Sequence, residues 1–287
     1  MKSTTFRSGK LQWLLSHDVC RRYPLRTFWR VLRWELIRLT NSQLRYRYDD
    51  EFKVTLLPNE GVSRLTYYFG VSEPDLFRTY NAFLKPGMVV FDVGANIGLH
   101  ALYFCKRVRC SGEVYAFEPS EKSFQRLASH LKENNLVNVE ALHCALGAAA
   151  GRVEVLENPR DTSRTFVRTI TPTSHALGDV DVFTLDAFAH ARKIQRIDFL
   201  KIDAEGFEGE ILAGAIELLT RKTIRIMQIE LDPQSVGQTG SGGAKVVPAL
   251  LAKGYVLAKW DAATDRFMRT TEYDFNSFFI LEQALCN

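Results

Sequence analysis

The chain has 287 residues, 46% hydrophobic and 11% aromatic, with 18 Gly and 9 Pro, which excludes a disordered or collagen-like polymer and provides for a full-sized core. Five cysteines (Cys20, Cys105, Cys110, Cys144, Cys286) form no C-x-x-C pair and lack metal-ligand spacing to the six histidines, so a disulfide scaffold is excluded and a reducing compartment is expected. The net charge of +4 conceals a division: residues 1–48 carry eleven basic and two acidic side chains, a balance of +9, and the remainder carries −5.

Met1 to Lys10 is polar and Leu11 to Leu15 is short and interrupted by Gln12, so no secretory signal is expected. Leu25 to Leu39 is broken by four arginines and Glu35, so no membrane span is expected either, and the expected location is cytoplasmic, soluble or at a membrane periphery. The chain divides into a basic helical arm over 1–44 and a body over 45–287, with a lead-in over 45–87 and a core over 88–287. Pro24 to Thr40 is predicted to be a helix starting at a proline, with Phe28, Trp29, Leu32, Leu36 and Leu39 at three- and four-residue steps. Two readings follow. The helix lies on an anionic membrane with Trp29 and Trp34 at the boundary, or it packs its apolar stripe on the body and turns its arginines to water.

Short strands are expected at Arg45 to Asp50 and Phe52 to Leu57, and a helix at Pro74 to Leu84 before the Pro86-Gly87 turn. From Met88 onward, apolar strands (Val89 to Val93, Glu113 to Phe117, Val139 to His143, Phe199 to Asp203, Ile224 to Leu231) alternate with helices (Ile97 to Cys105, Ser120 to Lys132, Phe207 to Leu219). Such alternation predicts an α/β fold, a mostly parallel seven-stranded sheet with helices on both faces, closed by an antiparallel edge hairpin at Tyr255 to Lys259 and Phe275 to Leu281. Asn158 to Asp179 and Pro233 to Lys245 read as long loops.

The sharpest local signal is Val89-Val90-Phe91-Asp92-Val93-Gly94-Ala95-Asn96-Ile97-Gly98: a buried strand entering a two-glycine turn and then a helix, suited to presenting helix-start N–H groups to a nucleotide-like ligand. At the end of the next strand stands Glu118, placed to accept hydrogen bonds from both hydroxyls of a ribose. A dinucleotide oxidoreductase would need a middle glycine where this chain has Asn96. Asp92, two residues before Gly94, gives the D-x-G form instead, suited to S-adenosylmethionine, which has a ribose and an amino-acid tail but no phosphate.

With FDVGANIG at 91–98, AFEPS at 116–120 and LKIDAEGFEGEILAGA at 200–215, the sequence resembles the FkbM-type S-adenosylmethionine-dependent methyltransferases over roughly residues 45–285. The resemblance implies a Rossmann-like class I methyltransferase fold, S-adenosylmethionine as methyl donor, and O-methylation of sugar or natural-product hydroxyls. It also implies that Asp92, Gly94, Ala95, Asn96, Gly98 and Glu118 hold the cofactor, with Ala145 and Leu146 near the adenine.

Methyl transfer from a sulfonium requires an acceptor oxygen in line with the methyl and a group that takes its proton. Asp203 is the candidate base or cofactor-proximal acid, and Glu205 the candidate binder of substrate hydroxyls; a spacing of two puts them on one side while the strand persists. Glu208 reads as a first-turn helix carboxylate. His100 and His143 are rival bases, each with an ordinary backbone-bonded reading. Asp203, Glu230 and Asp232 together form a candidate oxygen-ligand divalent site, and no metal is expected. Nucleic-acid methylation is disfavoured because no N/D-P-P-Y/F motif follows the fourth strand, no Pro-Cys dipeptide is present and the body is acidic. A non-catalytic, membrane-associated cofactor-binding scaffold is the remaining alternative.

Overall fold

The computed structural model describes residues 23–71, 73–158, 161–169, 180–231 and 243–285. The stretch 170–179, most of the Gly/Ser run after Leu231, and Asp232 lie outside the described residues. The described residues fall into two compact units, divided between Phe77 and Arg78. The boundary expected at residue 44 therefore falls inside the first unit.

In the first unit, helix α1 (Pro24–Leu39) begins at its proline, where a missing N–H is harmless. Strands β1 (Leu44–Tyr48) and β2 (Phe52–Leu56) form the expected antiparallel hairpin, and helix α2 (Gly61–Phe69), which the sequence reading did not anticipate, follows. Trp34 is fully buried, stacked on Tyr67 with ring centroids 5.5 Å apart and edge-on to Tyr68 at 6.4 Å. This corrects the placement of Trp34 at a membrane boundary: it is the helix's anchor. The apolar stripe itself points the other way. Leu25, Phe28, Trp29, Leu32, Leu36 and Leu39 are exposed, so the reading in which the stripe is packed away and the arginines alone meet water is not what forms.

Helix α3 (Pro74–Phe83) contains the division between the units. The second unit then runs β3 (Val89–Val93), α4 (Leu99–Val108), β4 (Glu113–Phe117), α5 (Glu121–Glu133) and β5 (Val139–Leu142). It continues with β6 (Ala145–Leu146), β7 (Gly151–Asn158), β8 (Asp161–Thr169), β9 (Val180–Phe183), α6 (Leu185–Ala191) and β10 (Ile197–Ile202). Helices α7 (Glu208–Ala213) and α8 (Ile216–Thr220), β11 (Ile224–Glu230), α9 (Gly243–Ala252), β12 (Tyr255–Asp261), β13 (Arg266–Arg269) and β14 (Asn276–Leu281) complete it.

The main sheet has the order β13-β12-β14-β11-β10-β3-β4-β5. The five strands from β11 to β5 are parallel, and β14 and β12 run antiparallel to their neighbours. All seven expected strands are present, and β13 adds an eighth at the edge. Chain order reverses between β3 and β10, and ligands of open α/β sheets bind at the carboxyl ends beside such a switch. Its core stacks Phe91, Phe117, Leu200, Ile202, Met227 and Phe279 between the layers.

Two expectations change. The segment read as a loop from Asn158 contains β8, which pairs with β7 in a second, four-stranded sheet of order β6-β9-β7-β8. The helix expected across Phe207 to Leu219 breaks at Gly214, where a Cβ would lie 2.1 Å from the carbonyl oxygen of Gly147.

Candidate active site

Three strands bring three polar side chains into one row. Asp92 on β3 is in register with Lys201 on β10, and Lys201 with Gln228 on β11. Residues level on adjacent strands share a face, and all three are buried, Lys201 with only 1% of its surface exposed. Lys201 Nζ lies 3.3 Å from Asp92 Oδ1 and 3.1 Å from Asp203 Oδ2. A buried ammonium stays charged only with such partners. Gln228 Oε1 accepts from Tyr80 Oη at 2.9 Å, and its Nε2 donates to Asn276 Oδ1 at 2.7 Å. Sequence reasoning passed over Lys201. The signal was there: a lysine inside a strand otherwise composed of Ile, Phe and Leu beside Asp198 has no solvent side to which it can turn.

The turn after β3 is fixed by a close approach. Gly94 has φ +77°, and a Cβ there would sit 1.8 Å from the carbonyl oxygen of Asp203, whose N–H in turn donates to Val93 O at 3.0 Å. Only glycine lets the two strand ends meet. The N–H groups of Gly94 and Ala95 both donate to Phe117 O at 3.0 Å, Gly98 N donates to Ala95 O at 2.9 Å, and Asn96 N donates to Glu118 Oε2 at 2.7 Å. Asn96, at φ +52°, accepts from Ile97 N through its own side chain at 2.7 Å. The turn's N–H groups, expected to face a ligand, are thus used to hold the turn and to aim Glu118.

Glu118 closes β4 with 3% of its surface exposed, accepting from Ser120 N at 2.9 Å through its other oxygen. Burial pushes its carboxyl up to about 7 against these two backbone bonds, with the negative charges of Asp92 and Asp203 adding to the rise. Burial also pushes Asp92 up, opposed by Lys201. Neither Asp92 oxygen accepts a hydrogen bond of ordinary geometry from a described residue. Glu118 keeps lone pairs beyond its two backbone bonds that fit a ribose diol, while Asp92 is fully buried and answered by Lys201.

Asp203 lies just past the end of β10, 29% exposed. Although burial acts to raise it, Lys201 and the hydrogen bonds from Glu230 and Lys201 hold its carboxyl low; Glu230 is pushed up, by burial first and then by the adjoining Asp203. The two shifts run in opposite directions, as expected of adjoining acids that do not readily ionise together. His100 belongs to the same cluster: burial and the Lys201 charge hold it well below the ordinary histidine range, so it is neutral, edge-on to Tyr80. His143 is elsewhere, on Pro119 O at 3.1 Å and stacked on Phe124.

Glu205 does not share a strand face with Asp203, because β10 ends at Ile202 and Glu205 turns left-handed at φ +50°. It is nonetheless within electrostatic reach of Glu230. Glu208 fastens this turn, accepting from Ala204 N at 3.2 Å and Gly206 N at 3.0 Å. Ala145 and Leu146 are spent on packing: Ala145 joins Val153, Val180 and Val182, and Leu146 joins the main core. Among the described residues no group of three or more His, Cys, Asp and Glu is placed to hold a metal ion. Asp232 lies outside them.

The Methyltransferase FkbM domain model matches residues 92–257, from the first acid of the row to β12. The chain is 29% identical over 157 residues to Methyltransferase sdnD of Sordaria araneosa, covering 45% of this chain and 60% of that protein. It is 26% identical over 168 residues to the Hexuronic acid methyltransferase AglP of Haloferax volcanii, covering 57% of this chain and 66% of that protein. The chain therefore spans less than two thirds of the length of these relatives. A Methyltransferase FkbM crystal structure from Methylobacillus flagellatus KT superposes with a TM-score of 0.44 at 16% identity, covering 77% of this chain and 54% of that one. With more than half of its residues matched by the family model, the chain belongs to the Methyltransferase FkbM domain family.

Proposed function

We propose that the protein is an S-adenosylmethionine-dependent O-methyltransferase whose acceptor is a hydroxyl of a sugar, a glycan or a small natural product. The observation that carries this reading is the meeting of Glu118, Asp92, Lys201 and Asp203 at the carboxyl ends of β4, β3 and β10, beside the point where strand order reverses. The family supports methyl transfer, and the relative named as a hexuronic acid methyltransferase supports a sugar acceptor.

In this reading Glu118 accepts from the cofactor's ribose hydroxyls, and Asp92 organises its ammonium end, directly or through water. Gly94, Ala95, Asn96 and Gly98 form the turn that sets both acids. The cofactor, when bound, supplies an electrophilic methyl on a sulfonium. Lys201 favours the ionised form of both Asp92 and Asp203, against burial. Asp203 would orient the acceptor hydroxyl and take its proton as the methyl passes from sulfur to that oxygen, the C–S bond breaking as the O–C bond forms and the sulfur leaving as a neutral thioether, with Glu230 beside it as a hydrogen-bond partner. Glu205 binds further substrate hydroxyls.

The test is transfer of labelled methyl from S-adenosylmethionine into fractionated extract, with Asp203→Asn as control. Label is expected in glycan or small-molecule fractions. The variant is expected to lose roughly 10²-fold or more in turnover with cofactor affinity little changed. Equal losses in both would make Asp203 a cofactor ligand, label confined to RNA would overturn the acceptor class, and cofactor binding without any label would support a scaffold.

A further inference from the structure

The first unit holds an open cationic groove of about 660 Å³ between α1 and β1, lined by Arg26, Arg30, Arg33, Arg45 and Arg47 and a single acid, Asp50. Trp29, Tyr46 and Tyr67 form its aromatic walls. Arg30 is held in place: its Nη1 donates to Tyr68 O at 3.1 Å, and its guanidinium lies 5.8 Å from the centre of the Tyr67 ring. Among the described residues none of the other four is paired with a carboxylate, so the groove presents a surplus of fork-shaped donors that match phosphate oxygens.

The groove has an apolar neighbour. At about 100° per residue, the exposed side chains of Leu25, Phe28, Trp29, Leu32, Leu36 and Leu39 fall in an arc about 100° wide, opposite the buried Trp34, and Arg26 and Arg33 border one edge of it. Trp29, 63% exposed, belongs to both the stripe and the groove wall. Phe28 and Trp29 meet edge-to-face at 5.7 Å on the outer surface. The pairing of a continuous apolar face with a phosphate-matching flank is the chemistry of a bilayer boundary, where acyl chains and phosphates lie side by side.

We propose that α1 and the arginine groove dock on an anionic phospholipid bilayer, the stripe entering the interface and the groove holding lipid phosphates. A nucleic acid would answer the arginines but leave six large apolar side chains in water. A second copy docking through the same face would set like charge against like charge.

The full chain is tested by flotation with phosphatidylcholine vesicles, with and without phosphatidylglycerol. Binding is expected with the anionic vesicles, about thirtyfold weaker after Arg26→Gln with Arg33→Gln, for the loss of two charges near the surface. Phe28→Ser with Leu32→Ser is expected to abolish it while leaving the circular dichroism unchanged. As a measurement on the unaltered chain, tryptophan quenching by brominated lipid is expected and should fall in Trp29→Phe. Failure to float with anionic vesicles overturns the proposal, as does binding that survives both double variants. Tight binding of an RNA homopolymer that the stripe variant leaves intact, with no flotation, would reassign the groove to nucleic acid.

Discussion

The two units use charge in opposite ways. In the second, Lys201 lies between Asp92 and Asp203 with almost no exposed surface, and each of these charges depends on the others. In the first, Arg30 is tied to Tyr68 and Tyr67, while Arg26, Arg33, Arg45 and Arg47 stand exposed around the groove with no carboxylate partner among the described residues. Burial makes charges interdependent and therefore sensitive to single changes. Exposure leaves them free for a partner and nearly irrelevant to folding.

The sharpest way to break that contrast is Lys201→Met. It leaves the buried Asp92 and the partly exposed Asp203 without their cation and is expected to cost about 3–5 kcal/mol of stability in urea denaturation. Because the stranded acids then titrate with raised pKa values, the loss should grow as the pH rises and they are forced to ionise. A loss below about 1 kcal/mol, the size seen for exposed pairs, would mean that the row is not a unit. Removing one surface arginine, by comparison, should be nearly silent in the same measurement.

A second pair works within the first unit. Trp34→Ala empties the space against Tyr67 and Tyr68 and should cost about 3–5 kcal/mol, whereas Trp29→Ala, on the outer face, should stay within about 0.5 kcal/mol. Similar melting shifts for the two would show that the helix packs through its stripe after all.

The smallest effect concerns Glu118. Only its ionised form accepts two hydroxyl bonds, and its carboxyl keeps a proton up to about pH 7. Cofactor affinity by calorimetry should therefore rise with pH and level off above that value, with roughly a tenfold deficit one unit below it. Glu118→Gln should be weaker by about 1.5–3 kcal/mol at the plateau and show no such slope. A slope that persists in the variant would assign the titration to another group.

Much of this could be read in the sequence where the signal was local. Val89–Val93 and Glu113–Phe117 form strands at the expected bounds because each is a short apolar run closed by a turn. Asp92, Gly94, Glu118 and Asp203 converge because strand ends in a parallel sheet must. What could not be read was register and long-range approach. The row Asp92, Lys201, Gln228 exists only once β3, β10 and β11 are aligned, and Asp92 stands 109 positions before Lys201, itself 27 before Gln228. Gly94 is required by the close carbonyl of Asp203, a contact no local motif shows. β8 was missed because its Thr, Ser and Arg residues read as loop and its partner supplied the order.

The unexpected eighth strand also bears on how the molecule avoids its own kind. A parallel sheet must end somewhere, and an open edge is a template for another chain. Here the outermost strand is four residues long, Arg266-Phe267-Met268-Arg269, with arginines at both ends and the second tied to Glu282. Phe267 is turned inward against Trp260 and Phe278. A neighbouring chain that tried to extend the sheet would find a short rim with its main aromatic residue already engaged, so β13 is a poor template for edge-to-edge pairing.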